Sequence, residues 1–170
     1  MLLLVRHAHA GDKAAWKGAD ALRPLSPTGR AEAEGLVVRL EDYPVERILT
    51  SPALRCHQTV QPLARDRRLP IERSDALDRD ASAADLLELV QRPPARATVL
   101  CTHGEAFGRL LPSLLARGLS PTAPLQWPKG CAWLLERIDG RLARAHYLPP
   151  LALADRHLPA GCQRGADVAQ

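Results

Sequence analysis

Short apolar runs alternate with helix-start signals along this chain, and that alternation most limits the folds open to it. Residues 2–5 are all apolar, a run short enough to read as a fully buried strand. A polar loop from Ala8 to about Pro27 follows. It is long for a compact domain, and such loops often carry function. Ser26-Pro27-Thr28-Gly29 then opens a helix, with Ser26 as N-cap and Pro27 at the first helical position. Leu36, Val37 and Leu40 are its apolar positions, and Tyr43-Pro44 ends it. Residues 45–50 read as a second strand. Ser51-Pro52 repeats the start signal and predicts a helix over 52–65, with Leu54, Val60, Leu63 and Ala64 inward. Residues 69–72 form a short strand. Ser82 caps a helix over 83–91, which Pro93-Pro94 stops. Residues 97–102 are a strong buried strand, and Gly104 opens a helix that Gly118 closes. Residues 132–137 and 142–147 pair as a hairpin about Asp139-Gly140. Periodicity fades from Pro149. The pattern predicts an α/β, three-layer domain over residues 1–148, with a mostly parallel central sheet flanked by helices. An irregular tail over 149–170 is expected to follow it.

Composition serves as a filter. A chain of 170 residues, 46% hydrophobic and 25% charged, can build a core without disulfides or a structural metal. No stretch approaches the ~18 uninterrupted apolar residues of a membrane span. The apolar start is broken by Arg6 and His7, too early for a signal peptide. A cytoplasmic location with no membrane partner is therefore expected. Cys56, Cys101, Cys131 and Cys162 show no CxxC or zinc-finger spacing and read as free thiols, Cys101 as a small buried hydrophobe. The net charge of +4 comes from basic and acidic residues that are intermixed, with few aromatics. No nucleic-acid partner is expected, and a local anion site built from a few arginines fits better.

In sheets of this kind ligands bind beyond the carboxyl ends of the strands. Arg6 and His7 follow the first strand, Arg55 opens the helix after the second, and His103-Gly104 follow the strand ending at Thr102. An imidazole is a natural nucleophile near neutral pH. Arginine presents a planar fork that matches phosphate oxygens. Two arginines beside a histidine can hold a phosphoryl group in line and spread its developing charge. The sequence shows no acidic set with metal-ligand spacing and no Gly-rich phosphate loop. The expectation is phosphoryl transfer onto histidine with no metal and no cofactor.

On these residues the chain resembles the histidine phosphatase superfamily, with its phosphoglycerate-mutase-like fold. Leu4-Val5-Arg6-His7-Ala8 is similar to the family's Arg-His-Gly signature, with Ala8 in place of the commoner glycine. Leu25-Ser26-Pro27-Thr28-Gly29, Thr50-Ser51-Pro52-Ala53-Leu54-Arg55 with Gln58-Thr59, and Thr102-His103-Gly104 resemble its further segments, in the right order. The short branch is nearest: bacterial phosphohistidine phosphatases, and the similar domain fused to Nudix hydrolases in some actinobacteria. Arg23-Pro24-Leu25 resembles both. Trp16-Lys17-Gly18 and Lys129-Gly130 resemble the Nudix-fused domain, although no Nudix box occurs here.

The resemblance implies that His7 is the nucleophile, attacking as a neutral imidazole with its other nitrogen held by an acceptor. It implies that Arg6, Arg55 and His103 bind the phosphoryl oxygens, with Arg23 and Lys129 as further substrate contacts. His103 would donate to the phosphoryl group or polarise the attacking water. Many members carry a glutamate where this chain has Arg79, leaving Asp78 and Asp80 as the candidate acids. A general acid matters most for a poor leaving group. Its loss favours protein phosphohistidine, or alternatively a nucleoside diphosphate, over sugar phosphates. The expected partner is a phosphorylated protein or a small phosphorylated substrate. A catalytically weak phosphate-binding regulatory module is the remaining alternative. Lys13 and Lys17 read as solvated, Trp16, Trp127 and Trp133 as packing groups, and His9, His57, His146 and His157 match no motif.

Overall fold

The first strand, β1 (Leu2–Arg6), is apolar on both faces. Leu2 and Leu4 pack on one side of the sheet, and Leu3 and Val5 on the other. Only helices above and below can bury such a strand. The computed structural model describes residues 1–92 and 96–152. In it β1 is followed by α1 (Pro27–Arg39), β2 (Arg47–Thr50), α2 (Leu54–Arg67), β3 (Ile71–Arg73), α3 (Ala83–Gln91), β4 (Thr98–Thr102), α4 (Gly104–Leu115), β5 (Ser120–Pro121), β6 (Ala132–Ile138) and β7 (Arg141–Leu148).

These strands make one sheet in the order β3-β2-β4-β1-β6-β7-β5. β1 to β4 are mutually parallel, while β6 runs antiparallel to both β1 and β7. Leu36, Val60 and Leu63 bring α1 and α2 onto the Leu3/Val5 face. Leu86, Phe107 and Leu110 bring α3 and α4 onto the Leu2/Leu4 face. The chain steps outward from β1 to β2 and β3, then doubles back to β4. Right-handed crossovers put the helices on opposite faces when that direction reverses. The three-layer, mostly parallel sheet predicted from the sequence is the one observed.

Local signals held where tertiary structure left them alone. Ser26 accepts from the Gly29 N–H at 3.1 Å and Ser82 from the Asp85 N–H at 3.0 Å, so both cap their helices. Asp139 and Gly140 have φ of +50° and +79°, the pair of left-handed residues that a tight hairpin turn needs. The second Ser-Pro did not start a helix. α2 begins at Leu54, and the Ser51 hydroxyl instead contacts His103 and accepts from the Ala53 N–H at 3.3 Å. Val60, Leu63 and Ala64 are buried as expected, Leu54 is only half-buried, and Arg55, Cys56 and Thr59 join the inner face. β3 lies slightly later than predicted. Strand β5 and two 3-10 turns, Asp20–Leu22 and Asp75–Leu77, were not foreseen.

Trp133 is fully buried and its Nε1 donates to the Gln126 carbonyl at 2.9 Å, whereas Trp16 is exposed. Cys56, Cys101 and Cys131 are buried free thiols. Pro93-Pro94, His157, Cys162 and most of the expected tail lie outside the described residues. Among the described residues no helix is long and apolar enough to cross a membrane.

Candidate active site

Strand register builds the centre. β1 and β4 pair Arg6 with Thr102, so the next residue of each strand, His7 and His103, leaves the sheet side by side. The His7 N–H donates to the Thr102 carbonyl at 2.9 Å, and the two rings meet edge-on with centroids 5.2 Å apart. Gly104 follows His103 where the Arg6 guanidinium crosses α4. A Cβ there would lie 2.8 Å from Arg6 Cζ, so the guanidinium rests against bare backbone. Arg6 Nη1 donates to the Trp127 carbonyl, and its buried Nε has no partner among the described residues.

His7 is held in one tautomer. Its Nδ1 is 2.8 Å from the Ala8 carbonyl, which can only accept, so Nδ1 carries the hydrogen and Nε2 keeps a lone pair. The Ala8 N–H donates to Thr59 Oγ1 at 2.9 Å, and the Thr59 hydroxyl donates to the Arg55 carbonyl at 2.7 Å. Burial is the largest influence on the His7 ring and pushes its pKa down to about 3. The Ala8 hydrogen bond opposes this, while His103, Arg55 and Arg6 add to it. His7 is therefore neutral at ordinary pH, the state expected of a nucleophilic imidazole.

Arg55 comes from the first turn of α2 and is buried. Its Nη2 lies 3.2 Å from His103 Nδ1. A guanidinium only donates, so Nδ1 accepts and His103 Nε2 carries the hydrogen, directed at Ser51 Oγ 2.8 Å away. Both His103 nitrogens are thus engaged, one by a site arginine and one by the residue that failed to cap α2. Arg55 also donates from Nη1 to the Asp20 carbonyl at 2.7 Å and from Nη2 to Asp20 Oδ2 at 3.1 Å.

Asp20 is the residue that sequence reading missed. It sits on the 3-10 turn inside the long loop, where its Oδ1 accepts from Arg23 Nε at 3.0 Å and its Oδ2 lies 3.6 Å from Arg79 Nη1. Burial, the largest single influence, would raise its pKa. The Arg23 hydrogen bond and the charges of Arg55, Arg23 and Lys13 outweigh that and hold the carboxyl below its usual range. Lys13 thus sits close enough to act on the site. The only prior signal was the three-residue spacing from Asp20 to Arg23, which fits one short helical turn.

The other predicted residues divide. Arg23 is buried at the site and donates from Nη1 to the Ala10 carbonyl at 2.6 Å. Asp78 is at the edge, with Oδ1 4.0 Å from His103 Nε2. Asp80 is not brought in: its side chain is 82% exposed and pairs with Arg79 on the solvent side. Lys129 is half-buried in the loop before β6. That loop reaches the centre through the Trp127 carbonyl and through the Gly130 N–H, which donates to the His7 carbonyl at 3.2 Å. Among the described residues no group of three or more His, Cys, Asp or Glu could hold a metal ion.

Two histidines and three arginines at the carboxyl ends of a mostly parallel sheet define a class, and comparison agrees with it. Residues 2–81 match the family described as Histidine phosphatase superfamily (branch 1). It is 36% identical over 156 residues to the 8-oxo-(d)GTP phosphatase of Mycolicibacterium smegmatis, an alignment covering 88% of this chain and 48% of that protein. The chain thus spans about half the length of this curated relative. The candidate phosphohistidine phosphatase SixA of Agrobacterium tumefaciens superposes with a TM-score of 0.68 at 26% identity, over 89% of this chain and 97% of that one. The protein histidine phosphatase SixA complexed with tungstate shares the fold at the same TM-score with 19% identity, over 89% and 96%.

Proposed function

We propose that the protein is a phosphatase that transfers a phosphoryl group first to His7 and then to water. The observation carrying this reading is the His7 ring itself. Its Nδ1 is tied to the Ala8 carbonyl, and it lies beside Arg6, Arg55 and His103, with no partner for its other nitrogen among the described residues. In the first step the Nε2 lone pair forms a bond to phosphorus, and the bond to the leaving group breaks with its electrons on that group. In the second, water displaces the imidazole and phosphate departs. Arg6 and Arg55 bind the equatorial oxygens, where preorganised donors act most strongly. Arg23 is a further contact, His103 orients Arg55, and Lys129 borders the substrate. Asp78 is the nearer of the two expected acids.

The substrate carries a labile phosphoryl group. Protein phosphohistidine is one candidate, in keeping with the SixA neighbours. A nucleoside diphosphate or related phosphoanhydride is the other, favoured by Arg79 beside Asp20 and in keeping with the mycobacterial relative. The test is hydrolysis of an aryl phosphate in the presence of a chelator. Wild type should turn it over and His7→Ala should not. Equal rates in the two proteins would leave only a phosphate-binding module.

A further inference from the structure

Asp20 Oδ2 is a single anionic oxygen shared by two guanidiniums. Arg55 Nη2 touches it at 3.1 Å and Arg79 Nη1 stands 3.6 Å away. Arg55 is buried beside the two histidines, while Arg79 is 31% exposed. Cationic groups therefore run outward from the His7 cup, and a carboxylate occupies the place between them. The backbone of Arg79 is anchored from two sides. Its N–H donates to Asp78 Oδ1, and its carbonyl accepts from Arg109 Nη2 on α4. Asp80 and Glu105 also act on its charge, Asp80 from the solvent side. Arg23, Arg55 and Arg79 thus share the one carboxylate of Asp20, so three guanidiniums surround a single negative charge there.

Granted the histidine route proposed above, we infer that Arg79 is a specificity-determining residue for a leaving group that is itself a phosphate. The substrate class is a phosphoanhydride. Its terminal phosphoryl group goes to His7, and its next phosphate replaces the Asp20 carboxylate between Arg55 and Arg79. Nε2 of His7 bonds to the terminal phosphorus, and the bridging P–O bond breaks with its electron pair on the departing phosphate. That oxygen needs no proton, because a phosphate monoester is a stable anion near neutral pH, its second pKa being about 6. Water then cleaves phosphohistidine to inorganic phosphate and releases a proton to solvent.

A guanidinium is suited to this task and unsuited to the alternatives. It stays charged, so it neutralises a departing anion but supplies no proton to an alkoxide. It gives nothing to a neutral imidazole leaving a phosphohistidine.

The experiment compares full-length wild type, Arg79→Gln, Arg79→Lys and His7→Ala on GDP and on a phosphohistidine peptide. Arg79→Gln should lower kcat/KM for GDP by about 100-fold, the scale for one transition-state charge donor, and leave the peptide rate essentially unchanged. Arg79→Lys should recover part of the GDP activity. Equal losses on both substrates, no loss on GDP, or a wild type that prefers the peptide would overturn the inference while His7-dependent turnover still stood. Activity surviving in His7→Ala would instead overturn the histidine route, and the inference with it.

Discussion

At Gly104 the absence of a side chain lets the Arg6 guanidinium pass within contact distance of the helix backbone. A methyl group there would displace the far end of a flexible arginine, not a packed backbone, so the cost falls on placement. Gly104→Ala should lower kcat/KM on the order of 100-fold, the loss that a displacement of about 1 Å can cause. Its melting temperature should hold, because alanine favours the helix. A matched fall in stability would show that the glycine serves packing instead. The site candidates read from the sequence, His7, Arg6, Arg55 and His103, share one property: each lies at or shortly beyond the end of a strand whose apolar run marks it. Asp20 lacks that property. An aspartate in a polar loop looks solvated until Arg55 and Arg79, distant in the chain, are brought to it.

α2 shows what tertiary structure adds to local signals. Ser51-Pro52 has the same start pattern as Ser26-Pro27, but its hydroxyl is shared between His103 and the Ala53 N–H, and the helix starts later without a side-chain cap. Nothing within the segment announces that competition. Thr59 carries the helix's second function, since its buried hydroxyl accepts the Ala8 N–H. Thr59→Val keeps the shape and leaves that N–H unpaired, a loss of about 1–3 kcal/mol. Chemical denaturation should record this destabilisation, and Thr59→Ser should escape most of it. Valine behaving like wild type would mean that the loop behind His7 is held by other contacts.

Over the whole molecule, the layer order was readable because the apolar runs and helix signals alternate and the crossover rule fixes the faces. The sheet's far edge was not, because β5 is only two residues long. The site also sets how the fold responds to acid. His7 titrates near 6.5 when unfolded and near 3 when folded, so between those values the unfolded chain binds a proton that the folded chain excludes. Stability therefore rises with pH across that window, by up to about 1.4 kcal/mol per pH unit, and levels off above it. The melting temperature should fall as wild type is taken from pH 7 to pH 4.5, and fall less steeply in His7→Gln. Parallel curves for the two proteins would refute the shift.

Arg55 and Thr59 ride on the same rigid rod, one turn apart. Any displacement of α2 would carry the guanidinium and the strut that braces the imidazole loop the same way. Their spacing is set by a single helical turn, so the arginine and the brace behind the imidazole loop cannot part without unwinding it.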